Sequence, residues 1–305
     1  TTEGWAAGII LLLERARLEG TPPEPAMDLT YDRVFDYFAE EILNKTESRV
    51  QSFLLKTAQL PTVTAPLAER LTGAQDAARI LSGLHRHHYF TVRLAGSGQK
   101  YQYHPLFRDF LLNRAKTRFR ATGWAALQKE AALLLEQSGQ VEEAAALYGK
   151  AGDPEGLVRL MAAHARELLG QGRNKTVAEW IAGIPRELTA RHPWLLYWNG
   201  KCAFPLDMPG ARNYFEQAFE SFKASGDPSG IYLSWAGIVD TLAFELDEWK
   251  RLDDWIAIFE ELREKYPSFP SAAVDLIASS RMLISLTLRK TDRPEWVQSW
   301  FEHVS

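Results

Sequence analysis

"TVRLAGSGQKYQYHPLFRDF", residues 91–110, packs two glycines and a lysine between two short runs of β-prone residues and sets a histidine directly after the second. GSGQK invites comparison with a phosphate-binding loop. That loop requires a lysine directly after its last glycine and a hydroxyl directly after the lysine. Here Gln99 separates Gly98 from Lys100, and Tyr101 stands in the hydroxyl position. The flanks also disagree, because a phosphate loop leads from a strand into a helix. Thr91–Leu94 and Tyr101–Tyr103 instead read as two strands joined by a Gly- and Ser-rich connection, a β-hairpin. The glycines then supply positive φ at its tip, and Pro105 opens a helix immediately afterwards, at a first-turn position proline tolerates.

Working outward, the residues before the hairpin have helical periodicity. Residues 3–18 form a helix that Gly20 and the break TPPEP end. Thr30 caps a second, with Tyr31, Val34, Phe35, Phe38 and Ile42 at helical spacing. A third follows from Thr46, with Val50, Phe53, Leu54 and Thr57 on one face, and Pro61 stops it. Short helices over 65–72 and 75–87 precede the hairpin over 89–103. Short helices followed by a hairpin are the order of a winged helix, in which the hairpin is the wing.

After residue 120 strand signals nearly vanish, and helices alternate with GD, GR and proline breaks. Two stretches share the pattern A-x3-[YF]-x2-A: Ala144, Tyr148, Ala151 and Ala211, Phe215, Ala218. This is the second-helix signature of tetratricopeptide repeats. The two copies lie 67 residues apart, about twice the 34-residue repeat. The copy expected between them, near "AEWIAGIP", is degraded. The expected fold is therefore mainly α: a winged helix with a small hairpin, then an irregular TPR-like α-helical solenoid. The second half is rich in aromatics (Trp194, Trp198, Phe215, Phe219, Tyr232, Trp235, Phe244 and Phe259 among them) at three- and four-residue spacing. Most are expected to pack between helices, with a minority lining a concave groove for a small effector or a peptide.

Charge is uneven. Residues 79–120 carry nine Lys/Arg against the single acid Asp109. That is +8 in a chain of net charge −4, leaving −12 on the remainder. Such an excess suits phosphate, nucleic acid or an acidic neighbouring domain. One cysteine, Cys202, excludes an internal disulfide and suits a reducing cytosol. The apolar run 6–13 is too short to span a bilayer. The start without Met and the abrupt end "SWFEHVS" suggest a fragment of something larger. His85, His87 and His88 in LHRHHYF lack the i,i+4 pair that sets two imidazoles on one helical face, so no metal site is expected. No catalytic residue can be selected. His104 stands apart: it sits at the N-terminal edge of the helix opened by Pro105, where backbone N–H groups and the helix dipole favour anions, and spacing alone leaves it open between a phosphate contact and a capping or core histidine.

"YHPLFRDFL", with "TEGWAAGI", "VFDYFAEEIL" and "VQSFLLKTAQL" ahead of it and "RHPWLLYWNGKCAFPLDMPGAR" and "LSWAGIVD" behind, resembles the MalT-like regulators. These are large LuxR-family, ATP-dependent bacterial activators of the STAND class of signal-transduction ATPases. The resemblance implies a chain beginning after a P-loop NTPase module and ending before a helix-turn-helix DNA-binding domain. It implies residues 1–27 as the end of the module's helical segment, 28–119 as the winged helix and 120–305 as the helical-repeat region. It carries His104 onto the histidine of an MHD-type motif that contacts the β-phosphate of bound ADP, with Tyr103 and Pro105 in place of the Met and Asp. Gly4 and Trp5 fall on a "GLP" motif that packs on adenine, with Ala6 replacing its proline.

The function so implied is a cytoplasmic switch without catalysis of its own. It would join ADP/ATP, bound mostly by the NTPase module, to a small-molecule or protein effector at the repeats. It would self-associate when activated and reach DNA through the C-terminal domain, with no membrane partner. Two other readings stand beside it: a winged helix that binds DNA through the basic segment, and a TPR-type protein-interaction scaffold. For the first, helix 75–87 offers mainly Gln75, Arg79 and Arg86 to base edges.

Overall fold

The computed structural model describes residues 39–96, 98–245, 249–289 and 294–304. The helix expected over 3–18 lies outside the described residues, as does most of the one from Thr30, of which residues 39–45 are seen as helix. The chain divides into two compact units, residues 1–153 and 154–305.

In the first unit, α1 (Ser48–Thr57) buries Phe53, Leu54, Leu55 and Thr57 along one face. It starts two residues beyond Thr46, whose hydroxyl donates to the Leu43 carbonyl at 2.7 Å just past the end of the preceding helix. Helix α2 (Ala65–Thr72) has the start and stop its sequence calls for. The Thr64 hydroxyl accepts from the Leu67 N–H, Pro66 occupies the first turn, and Gly73 closes the helix at φ 75°. Helix α3 (Ala77–Arg86) buries Ile80, Leu81 and Leu84.

The sheet has three antiparallel strands, β1 (Val63–Thr64), β2 (Thr91–Arg93) and β3 (Lys100–Tyr103), in the order β1-β3-β2. The hairpin is as expected; β1, just two residues after the Pro61 break, is an addition to it. Tyr103 faces Thr91 and Tyr101 faces Val63, and all four are buried. Val92 faces Gln102 on the outer side, both exposed, as period-two alternation requires. At the tip Gly96 and Gly98 have φ 131° and 91°, which a side chain would resist. Helix α4 (Pro105–Arg118) leaves the sheet at once and buries Phe107, Leu111 and Ala115, one residue per turn. A helix pair, α5 (Ala121–Gln137) and α6 (Val141–Ala151), completes this unit, with Ala144 and Tyr148 of the first repeat signature buried between the two.

The second unit is helical throughout its described residues. Its helices are α7 (Pro154–Gly170), α8 (Asn174–Ala182), α9 (Arg186–Arg191), α10 (Pro193–Ala203), α11 (Met208–Ser225), α12 (Pro228–Glu245), α13 (Leu252–Lys265), α14 (Ala272–Arg289) and α15 (Pro294–Val304). Most helices adjacent in sequence pack together, and alternate helices also touch, α10 on α12 and α12 on α14. This is the stacking of a helical solenoid.

Ala211, Phe215 and Ala218, the second repeat signature, are all buried on α11. Phe215 shows why that signature needs small neighbours. A Cβ built on Gly200 of α10 would stand 2.5 Å from its ring, and one on Gly237 of α12 would stand 2.8 Å from it. These glycines are used for space rather than for φ. Most of the aromatics expected inside are inside: Trp235 and Phe259 lie 4.5 Å apart, and Trp235 donates its indole N–H to the Trp255 carbonyl at 2.8 Å. Phe244, at 61% exposure, is an exception.

Candidate functional site

His104 occupies the single residue between β3 and α4, and its backbone is held from both sides. Its N–H donates to the Phe90 carbonyl at 2.7 Å, and its carbonyl accepts the Arg108 N–H at 2.9 Å in the first turn of α4. The residue is extended (φ −53°, ψ 138°), the imidazole is half-buried, and it does not cap the helix it precedes. Its ring lies 6.3 Å from that of Phe90, which in turn lies 5.5 Å from Phe107. The imidazole therefore has a tilted aromatic neighbour in Phe90 and stands at the positive end of a 14-residue helix.

Phe90 reaches this position through an unusual turn. His88 and Phe90 have φ of 55° and 44°. Left-handed backbone at residues other than Gly, Asn or Asp costs about 1–3 kcal/mol each and persists only where its surroundings enforce it. The enforcing contacts are visible. The Tyr89 N–H returns to the Leu84 carbonyl, the Phe90 N–H to the His88 carbonyl, and Phe90 is buried. His85, read from the sequence as part of a histidine cluster, stands 3.2 Å by its Nδ1 from the Thr91 carbonyl, while His87 and His88 are exposed. Among the described residues no three His, Cys, Asp or Glu side chains gather as a metal site would need.

On either side of His104 stand two polar contacts that the sequence did not single out. Tyr103 is buried, and its hydroxyl lies 2.7 Å from the Thr57 Oγ1 at the end of α1. Thr57 has one hydroxyl proton, already directed at the Phe53 carbonyl 2.8 Å away, so Tyr103 is the donor of the pair. Burial pushes the Tyr103 phenol far up, with the Thr57 hydrogen bond acting the other way, so it keeps its proton at any ordinary pH. On the other side, Arg108 donates Nε to the Ala58 carbonyl at 2.8 Å and a terminal nitrogen to the Gln59 carbonyl at 3.1 Å. Desolvation lowers its pKa and Asp109 acts against that; an arginine remains charged regardless.

The basic segment is thus partly engaged inside the unit. Arg108 closes α1, Arg79 pairs with Asp76 at 2.6 Å and Arg114 with Glu40 at 2.7 Å. Arg86, Arg93, Lys100, Lys116, Arg118 and Arg120 are exposed. The outer face of α3, where a DNA-reading winged helix would carry its contacts, shows Ala78, Arg79 and Arg86 exposed with Ser82 and Gly83 half-buried. Arg79 is already paired, which leaves few groups for base edges.

Gly4 and Trp5 lie outside the described residues. Cys202 is buried on α10, and burial pushes its thiol up to about 11, so it is protonated near neutral pH and a poor nucleophile. Among the described residues no helix is long and apolar enough to cross a membrane.

One known family falls on the same residues. Residues 39–122 match the model of the MalT winged helix domain, which takes in His104 and every contact described around it. The chain is similar to the HTH-type transcriptional regulator MalT of Klebsiella pneumoniae, 25% identical over 197 residues, covering 63% of this chain and 22% of that protein. It is similar to the regulator of the same name from Cronobacter sakazakii, 28% identical over 197 residues with the same coverage. The MalT-like resemblance read from the sequence holds. The chain spans about a fifth of the length of these relatives, 22% of each.

Proposed function

We propose that this chain is the middle of an ATP-dependent transcriptional regulator, a switch that links nucleotide state to effector sensing and catalyses nothing by itself. On this reading residues 1–27 close an NTPase module, the winged helix runs to 119, and TPR-like helical repeats occupy 120–305. The observation that carries it is His104: a half-buried imidazole at the start of α4, inside the segment matched to the MalT winged helix domain.

The residues fit an anionic group at that point. The first-turn N–H groups of α4 have no side-chain cap from His104 and stand at the positive end of the helix. A nucleotide supplies the phosphate charge, held mainly by the NTPase module of the parent. His104 donates to the β-phosphate of ADP, which ties the winged helix to that module in a resting, cytoplasmic form. A small-molecule or protein effector at the repeats, together with ATP, favours an open form that self-associates and acts on DNA through a C-terminal helix-turn-helix. The effector can move the balance only by as much as its affinities for the two forms differ.

His104→Ala in the intact regulator tests this reading. A hydrogen bond to a charged group contributes about 1.5–3 kcal/mol, so ADP should bind about ten- to a hundredfold more weakly. Basal transcription should rise in parallel. Unchanged ADP affinity and unchanged basal transcription would leave His104 without a sensor role.

A further inference from the structure

We propose that Tyr103 and Arg108 are positioning residues for His104, a clamp that fixes the imidazole by tying both of its flanks to the end of α1. The inference rests on the latch just described but concerns different residues and different bonds. Tyr103, one residue before His104, places a buried hydroxyl 2.7 Å from Thr57 Oγ1. Arg108, one helical turn after it, spans the Ala58 and Gln59 carbonyls at 2.8 and 3.1 Å. Thr57, Ala58 and Gln59 are consecutive and all buried. A three-residue segment therefore receives both flanks, and His104 is the bridge between them.

The chemistry of each anchor suits this role. The last carbonyls of a helix lack partners within it and attract cations. Arg108 supplies a forked, permanently charged donor that satisfies two carbonyls around the end of α1 in one plane. Tyr103 gives direction as well as burial, because a hydroxyl bond weakens steeply as its angle departs from linear. The backbone of His104 is fixed independently by the Phe90 carbonyl and the Arg108 N–H. With the His104 main chain bonded on both sides and both flanking side chains anchored, the direction in which the imidazole leaves the backbone is set, and that is the part of the preorganisation for phosphate recognition that the clamp supplies. A contact made elsewhere that moved the end of α1 would move His104 with it.

The test is a coupling measurement on the intact regulator with ADP as the probe. Arg108→Met removes the donors and keeps the stem; Tyr103→Phe removes one hydroxyl and keeps the ring. Each should weaken ADP binding about three- to tenfold, the size of one or two hydrogen bonds. Neither should weaken it further in a His104→Ala background, since both act through the imidazole. Arg108→Lys should restore part of the loss. Carbethoxylation of His104, read by mass spectrometry, gives a readout independent of nucleotide and should change rate in both variants. If His104→Ala weakens ADP binding but Arg108→Met does not, the clamp is wrong and the latch stands. If Arg108→Met costs as much without His104 as with it, the residue acts by another route and the clamp is wrong. If His104→Ala leaves ADP binding unchanged while both variants alter the modification rate, the clamp stands and the latch falls. An unaltered modification rate overturns the clamp.

Discussion

Around the His104 junction, large side chains turned inward find polar partners: buried Tyr103 meets Thr57, and half-buried Arg108 meets the carbonyls of Ala58 and Gln59. In α10–α12 of the second unit, large buried side chains find empty space: Phe215 fits against Gly200 and Gly237, and Phe222 against Gly230. The first arrangement fixes direction, because hydrogen bonds weaken steeply with angle. The second fixes shape, because close-packed hydrocarbon resists any change of volume but has no preferred orientation. A contact that must hold an imidazole towards a phosphate needs the first kind. On the proposed reading, a stack of helices that presents a surface to an effector needs only the second.

The contrast can be broken most forcefully at Phe215. Phe215→Ala leaves a cavity between three helices and should cost about 3–5 kcal/mol, read as a lower denaturation midpoint. Hydrogen exchange should rise across α10–α12 and stay unchanged over residues 48–118. Filling the space from the other side should cost less: Gly237→Ala forces the ring aside for about 1–3 kcal/mol, provided the ring can shift a few tenths of an ångström. If Gly237→Ala were neutral, the fit of Phe215 would not be as close as the structure has it.

Smaller again is Tyr103→Phe, which should cost about 0.5–1.5 kcal/mol, because Thr57 keeps its bond to the Phe53 carbonyl and loses only a donor. A direction-setting contact should lose ADP affinity by about as much free energy as it loses stability; a volume-setting contact should lose stability with little change in that affinity.

The smallest effect is expected at Asp275, which the Nε2 of His303 approaches at 2.7 Å and Ser279 at 2.8 Å between α14 and α15. Desolvation raises its pKa, but the hydrogen bonds of His303 and Ser279 outweigh it and hold the carboxyl below its ordinary value. A depressed folded pKa stabilises above the unfolded value of about 3.9 and is lost as pH falls through the folded value. Fluorescence of Trp296 and Trp300 should therefore report weakened docking of α15 on acidification below about pH 4, and Asp275→Asn should flatten that response. The pair is partly exposed, so the effect belongs to the range of about 1 kcal/mol or less.

What the sequence discloses follows from how local the cause is. The hairpin and its tip were legible because positive φ at Gly96 and Gly98 is a property of those residues alone. The start of α4 was legible because Pro105 announces it. The packing of α11 was legible because Ala211, Phe215 and Ala218 repeat a known spacing. Strand β1 was not: two residues, Val63 and Thr64, cannot display a period. The left-handed turn at His88 and Phe90 was not, since tertiary contacts impose it on residues that do not favour it. Nor was Arg108. Counting charge along 79–120 marks it as one of nine cations, and only the fold shows it turned inward onto α1 while Arg93 and Lys100 face out. His104 itself was found by its place before a proline, but the clamp that holds it depends on Thr57, Ala58 and Gln59, some fifty residues earlier.

The most direct measurement of the latch compares ADP with AMP. In the intact regulator, His104 on the β-phosphate should make ADP the tighter ligand, and His104→Ala should shrink that preference by about tenfold or more while leaving AMP affinity nearly unchanged. Equal weakening of ADP and AMP in the variant, or an ADP preference that survives it intact, would contradict the assignment of His104 to the β-phosphate.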